Sequence, residues 1–228
     1  MFSKKICVIG LGYIGLPTAA LLANRGYDVH GVDVEQSTVN IINRGEIHIV
    51  EPELDTFVKG AVSSGKLKAS LNPCEADVFI IAVPTPFHEG FVPNIDYVLS
   101  ATKAIAPFVK ENNVVILEST SPVGTTDKIE EALVAEGIDT SKLFIAHCPE
   151  RVLPGQIMRE LIENDRIVGG TTPKATDQAV EFYKTFVSGE VLSTDARTAE
   201  MAKLTENSFR DTNIAFANEL SILCDKFD

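Results

Sequence analysis

The stretch Ile6-Cys7-Val8-Ile9-Gly10-Leu11-Gly12-Tyr13-Ile14-Gly15-Leu16-Pro17 decides the fold. A short, β-rich apolar run feeds three glycines spaced Gly10-x-Gly12-x-x-Gly15, and residues 16–24 read as a helix. Glycine at these points lets the chain turn sharply, brings backbone amides against a pyrophosphate and packs the helix start on the strand. The helix N-terminus adds free N–H groups and the positive end of its dipole. By itself the spacing also suits a strand-to-helix turn built only for packing, so the next segment matters. Tyr27-Asp28-Val29-His30-Gly31-Val32-Asp33 reads as a second strand ending on a carboxylate. Asp33 lies about 20 residues beyond the glycines, where an acidic side chain meets the ribose diol of NAD. Val34 and Glu35 offer no cation for a 2′-phosphate, so the reading is NAD rather than NADP.

Outward from this turn, strand and helix patterns alternate. Residues 36–43 have helical spacing, and Glu51-Pro52-Glu53-Leu54 is expected to open another helix, with proline in its first turn and acids toward its dipole, running to about Ser63. Residues 67–70, 76–83, 113–117, 143–147, 166–170 and 190–192 read as strands, several of them continuous apolar runs of the kind buried on both faces. Helices are expected over 96–108, from the capping chemistry of Thr125-Thr126-Asp127 to Gly137, and over 174–187. This order predicts an α/β fold with a doubly wound, mostly parallel sheet. From about Thr198 a helical pattern runs to Phe227 without proline or glycine, ~45 Å at 1.5 Å per residue. A helix of that length is expected to leave its domain and join another domain or a partner. Residues 1–196 thus read as a cofactor-binding domain and 197–228 as the start of a long helix.

Composition narrows the classes of function. The 228 residues can bury a full core, and 45% hydrophobic with 23% charged residues is the balance of a soluble globular protein. A net charge of −12 argues against nucleic-acid and membrane-surface partners, which need a basic footprint. Any phosphate must be held by local amides and a few cations. Cys7, Cys74, Cys148 and Cys224 show no C-x-x-C pairing, which argues against a metal or disulfide framework. Lys4-Lys5 before an apolar run imitates a signal peptide, but glycines interrupt the run. No apolar run reaches the ~18 residues of a membrane span, and the expected location is the cytoplasm.

Ligands of open α/β sheets bind beyond the carboxyl ends of the strands. Four such ends carry polar groups here: Asp33, Thr85, residues 118–121, and Glu150 with Arg151. Each alone reads as turn chemistry; together they favour a site. On the terminal helix Lys203, Asn207 and Arg210 share one face at i, i+4 and i+7, among the apolar Met201, Leu204, Phe209, Ile214 and Phe216. A lysine at such a seam can exchange a proton or stabilise an oxyanion, and an arginine fork suits phosphate or carboxylate.

At this point the residues resemble a known family. Gly10-x-Gly12-Tyr13-Ile14-Gly15-Leu16-Pro17, Val83-Pro84-Thr85-Pro86, Glu118-Ser119-Thr120-Ser121-Pro122-Val123-Gly124, Cys148-Pro149-Glu150-Arg151-Val152-Leu153-Pro154-Gly155 and Glu200-Met201-x-Lys203-Leu204-x-Glu206-Asn207-x-Phe209-Arg210 look like the UDP-glucose/UDP-mannose dehydrogenases. Five motifs in one order span essentially the whole chain. Glucose-specific members carry a second acid a few residues after Glu150; Pro154 stands there, as in members acting on N-acetyl sugars. The resemblance implies oxidation of the C6 alcohol of UDP-N-acetyl-D-mannosamine to the uronate for surface polysaccharide, in two hydride transfers to NAD through a cysteine thiohemiacetal. It implies NAD contacts at Gly10, Gly12, Gly15, Tyr13, Ile14, Asp33, Thr85 and Thr126. Arg151, Val152, Lys203, Asn207 and Arg210 would bind the nucleotide sugar. Lys203, with Asn207, would serve acid/base and oxyanion roles, while Thr120 and Glu150 would position water. No metal is implied, and a homodimer through the long helix is expected. The family's nucleophilic cysteine lies in a Gly-Gly-His-Cys segment beyond the long helix, which is missing from this sequence, so the chain is expected to be the cofactor-binding part, incompetent for full turnover. Two other readings stay open: a β-hydroxyacid-type dehydrogenase, and a non-catalytic NAD-binding module.

Overall fold

The computed structural model describes residues 5–227; Met1 to Lys4, including half of the Lys4-Lys5 pair, and Asp228 lie outside the described residues. Among these, the strands β1 (Lys5–Ile9), β2 (Asp28–Val32), β3 (Leu67–Ser70), β4 (Val78–Ile81), β5 (Val114–Leu117), β6 (Phe144–His147), β7 (Arg166–Gly170) and β8 (Val191–Asp195) form one sheet. Its order is β3-β2-β1-β4-β5-β6-β7-β8, so the sequence of strands reverses beside β1, between β2 and β4. The helices are α1 (Gly15–Asn24), α2 (Gln36–Asn43), α3 (Leu54–Ser63), α4 (Asp96–Ile105), α5 (Thr125–Ala135), α6 (Ile157–Glu163), α7 (Pro173–Tyr183) and α8 (Ala196–Phe227). The doubly wound, mostly parallel α/β sheet followed by a long helix is the expected architecture.

Alternation along the strands feeds two cores. Ile6 and Val8 of β1 pack with α1, α3, α6 and α7 on one face, whereas Cys7 and Ile9 pack with α4 and α5 on the other. The central strands are buried on both sides, which is why they read as unbroken apolar runs.

Two features were not anticipated, and two expectations need correction. β7 runs antiparallel to β6, through Ala146↔Gly170 and His147↔Gly169, and β8 then continues parallel to β7. The link between β6 and β7, residues 148–165, carries the short α6, about 10 Å long at 1.5 Å per residue. That helix was not expected at all: it has no side-chain cap of its own. Glu51 and Pro52 do not open α3, which starts at Leu54 after Glu53 in the left-handed conformation. Instead the buried Glu51 carboxylate accepts from the amides of Gly155 (2.9 Å) and Ile157 (2.8 Å), so it caps α6, more than a hundred residues away. Finally, α5 is preceded by Gly124 at φ +93° and lacks a cap from its own threonines.

Candidate active site

The β1–α1 turn is fixed by its own backbone. Gly10 sits at φ +90°, and a Cβ there would stand 2.4 Å from the Ala82 carbonyl oxygen; one on Gly15 would stand 1.8 Å from the carbonyl oxygen of Gly10. Only glycine fits either place. A Cβ on Gly12 would meet nothing within 4 Å. Packing therefore does not explain Gly12, whereas room for a bound group does. Among the described residues no side chain caps α1, which leaves its N-terminus free to face an anion. Asp33 at the end of β2 accepts from the amides of Leu11 and Glu35, both at 3.0 Å, so its carboxylate is held against the turn. Glycines, helix terminus and acid together fit the pyrophosphate and ribose of a dinucleotide.

Beside this turn, where the strand order reverses, a cavity of about 270 Å³ opens among Ile14, residues 82–85, residues 118–120, Glu150, Val152, Lys203 and Asn207. Four chain segments and α8 meet there. Thr85 donates to the Thr120 carbonyl (2.6 Å) and Ser119 to that of Val83 (2.7 Å), which locks the ends of β4 and β5 together. Burial lowers the Lys203 ammonium below the ordinary lysine value, against the pull of Glu206 and Glu150. A lysine so tuned can take a proton from a hydroxyl or support an oxyanion.

Beneath the cavity lies a buried ionic cluster. Glu150 accepts from its neighbour's amide, Arg151 N (2.7 Å), and pairs with the Arg166 guanidinium, both side chains almost wholly buried. Arg166 also donates to the Leu161 carbonyl at 3.0 Å and stacks over the Tyr183 ring. Burial opposes its charge, yet the Glu150 carboxylate holds its pKa above the ordinary arginine value. Tyr183 in turn donates to Glu118 at 2.7 Å.

Helix α8 is set by a clamp that the sequence does not announce. Glu200, fully buried, accepts from Gly124 N (2.6 Å), Thr126 N (2.8 Å) and the Thr126 hydroxyl (2.6 Å), and so supplies the missing cap of α5. Arg197 adds an ion pair to Asp127 at 2.8 Å. One and two turns beyond Glu200, Lys203 and Asn207 reach the cavity wall.

The structure thus brings together Ile14, Thr85, Thr120, Glu150, Val152, Lys203 and Asn207, with Gly10, Gly12, Gly15 and Asp33 at the adjoining turn and an exposed Tyr13. It does not bring Thr126, whose buried hydroxyl is committed to Glu200. Arg151 is likewise turned to Glu206, in a two-pronged pair at 3.0 and 3.1 Å. Arg210 lies farther along α8 in an outer groove with Phe209 and Ile214, so the expected stripe is a buried seam only at its start. Sequence reading missed Tyr183, Arg166 and the role of Glu200. For Arg166 there was a signal, a cation opening an otherwise apolar strand; Glu200 gave none. No cysteine lines the cavity: Cys7 and Cys148 are buried in the core, Cys74 is half-buried and Cys224 exposed.

A dinucleotide turn, a carboxylate at the ribose position and a lysine-bearing helix over the switch point define an NAD-linked dehydrogenase scaffold. Residues 4–187 match the NAD binding domain of the UDP-glucose/GDP-mannose dehydrogenase family, and residues 197–228 match its central domain. The chain belongs to this family. It is 61% identical to the UDP-N-acetyl-D-mannosamine dehydrogenase of Campylobacter jejuni, over 99% of this chain and 58% of that protein. It is 55% identical to the NDP-N-acetyl-D-galactosaminuronic acid dehydrogenase of Ralstonia nicotianae, over 98% of this chain and 55% of that one. Among solved structures, the UDP-N-acetyl-mannosamine dehydrogenase of Staphylococcus aureus superposes with a TM-score of 0.91 at 46% identity, over 98% of this chain and 55% of that one. The chain therefore spans little more than half the length of the relatives it matches.

Proposed function

We propose that the chain is the cofactor-binding part of an NAD-dependent dehydrogenase that oxidises the C6 alcohol of UDP-N-acetyl-D-mannosamine to the uronate, for surface polysaccharide. The convergence of Lys203, Asn207, Glu150 and Thr120 on one cavity beside the glycine turn carries this reading. Bound NAD supplies the hydride acceptor. Gly12 leaves room for its pyrophosphate, the α1 amides face it, Asp33 takes the ribose diol, and Ile14 and Thr85 line the way to the cavity. Lys203 takes the proton of the sugar hydroxyl and steadies the oxygen it leaves; Asn207 adds a second donor. Glu150, held by Arg166, and Thr120 orient water in the cavity. The thiol of the second oxidation is assigned to a part of the protein outside this chain, which spans 58% of its Campylobacter relative. Residues 1–196 form the cofactor domain and 197–228 begin the helix through which two copies pair, in the cytoplasm. Among the described residues no helix is long and apolar enough to cross a membrane.

The test pairs binding with turnover. Calorimetry on the 228-residue chain should give NAD binding that weakens about 10- to 100-fold in Asp33→Ala, the worth of hydrogen bonds to a charged group. Unchanged affinity removes Asp33 from the ribose. In the protein extended to the length of its relatives, Lys203→Ala should abolish NADH formation while sparing NAD binding. The Ralstonia relative favours one second reading, the galacto epimer as substrate. Relative kcat/KM on the two UDP-N-acetyl sugars decides between them.

A further inference from the structure

Glu118 follows β5 directly, is 2% exposed and lines the same cavity as Glu150 and Lys203. One of its oxygens, Oε1, accepts from the Tyr183 hydroxyl at 2.7 Å. The other, Oε2, is buried without a hydrogen-bond partner. The Thr18 hydroxyl of α1 is the polar group beside this carboxyl, able to donate to it when ionised or to accept from it when protonated. A buried carboxylate normally collects donors on both oxygens; Glu118 has one firm donor, Tyr183, which is little support for a buried charge.

Charge counting leads the same way. Glu118 is faced by Thr18 from α1, Cys148 from the end of β6, Glu150 from the following loop, Arg166 from β7 and Tyr183 from α7. Burial keeps the Cys148 thiol and the Tyr183 phenol protonated. That leaves two carboxyls, the Arg166 guanidinium and, from α8, the Lys203 ammonium; the guanidinium is already paired with Glu150, and the ammonium is drawn to Glu150 and Glu206. Among the described residues Glu118 is thus left without an ion pair of its own, beside a second carboxyl, and such a buried group favours a proton.

We propose that Glu118 holds a proton in the folded chain, so that the cavity wall presents a carboxylic acid beside the Arg166-paired Glu150. Burial, with the negative charge of Glu150 next, raises the Glu118 carboxyl to about 7, in keeping with that arrangement. Glu118 is then a positioning residue. While it is neutral, Arg166 is committed to Glu150 and holds it toward Lys203. Once Glu118 ionises, Arg166 is drawn between two carboxylates and Glu150 loosens. The consequence for turnover rests on the function proposed above; the protonation itself does not.

Carbon-13 NMR of the 228-residue chain with labelled glutamate carboxyls reads the protonation directly. One carboxyl should stay protonated past pH 6 and titrate near 7, and its resonance should vanish in Glu118→Gln, which keeps an acceptor for Tyr183. If every glutamate titrates below pH 6, or if the late resonance survives Glu118→Gln and is lost in Glu150→Gln, the proposal falls. A stability series supplies a second measurement. A carboxyl whose value rises from 4.5 to about 7 on folding favours the folded state below 4.5 and loses that advantage as pH climbs through 7. Relative to Glu118→Gln, the wild-type chain should lose up to about 300-fold in its folding equilibrium constant between pH 4 and pH 8. Parallel curves for the two chains contradict it. In the extended protein, a fall in kcat above pH 7 that Glu118→Gln removes, with KM for NAD unchanged, links the proton to turnover. A fall that persists in Glu118→Gln breaks that link and leaves the NMR result standing.

Discussion

The glycine turn between β1 and α1 and the outer stretch of α8, residues 208–227, both lie at the edge of the molecule, and they are held in opposite ways. In the turn nearly every atom has a backbone reason for its place: Gly10 N donates to Val32 O at 2.8 Å, Asp33 accepts from Leu11, and Gly15 presses on the Gly10 carbonyl. In the outer helix no described residue is buried, and Phe209, Phe216 and Phe227 are 71%, 63% and 82% exposed. One region is finished before any ligand arrives. The other presents apolar surface that the chain itself does not cover. Between them stands the first part of α8, where Glu200 and Arg197 tie the helix to α5 and so set Lys203 and Asn207 over the turn.

The comparison breaks most severely at the turn. Gly15→Ala puts a Cβ within 1.8 Å of a carbonyl oxygen that cannot move without the strand, and the expected cost is about 3 kcal/mol or more. Calorimetric unfolding should give a large drop in Tm or no folded chain. Gly12→Ala, with nothing within 4 Å, should keep its stability within about 0.5 kcal/mol and lose NAD affinity instead. Equal destabilisation by the two changes contradicts the division of labour drawn here.

A smaller loss is expected at the clamp. Glu200→Ala removes three hydrogen bonds and leaves buried amide donors at the start of α5 without partners, a cost of about 2–4 kcal/mol. Because the clamp is where α8 joins the domain, hydrogen exchange in this variant should quicken in residues 197–207 and in the 119–126 loop while β1 and α1 stay protected. Uniform quickening means that Glu200 serves global stability alone.

Legibility from sequence follows the same division. The turn, Asp33 and the apolar central strands were readable because local sterics and alternation fix them within a few residues. Lys203 and Asn207 were readable as a helical stripe, and Glu150 as part of a strand-end motif. The caps were not. Glu51 reads as an acid before its own helix, yet it caps α6; Glu200 reads as one acid among many on a long helix, yet it caps α5. Such contacts join residues 74 to 106 positions apart and leave no periodicity behind. The antiparallel β7 escaped for a related reason: it follows α6, a helix whose cap lies in another segment.

The smallest effect on the isolated chain is expected where the helix is bare, and it sharpens what the bareness is for. Phe209, Asn213, Phe216, Leu220, Leu223 and Phe227 recur at alternating intervals of four and three residues, the spacing of a helix-to-helix seam. Asn213 is the one polar member, and its side chain donates to the Phe209 carbonyl within the same helix at 2.7 Å. A polar residue at one seam position fixes register at some cost in affinity, which suits pairing with a second copy. Phe216→Ser removes an exposed ring that touches no core, so the stability of the monomer should change by less than about 0.5 kcal/mol. Sedimentation equilibrium should nevertheless show a dimer weakened at least tenfold, about 1.4 kcal/mol, because a ring buried between two helices is lost twice over in a symmetric pair. A wild-type chain that stays monomeric at tens of micromolar, or a variant that pairs as tightly as wild type, would assign this face to contacts other than a second copy of this helix.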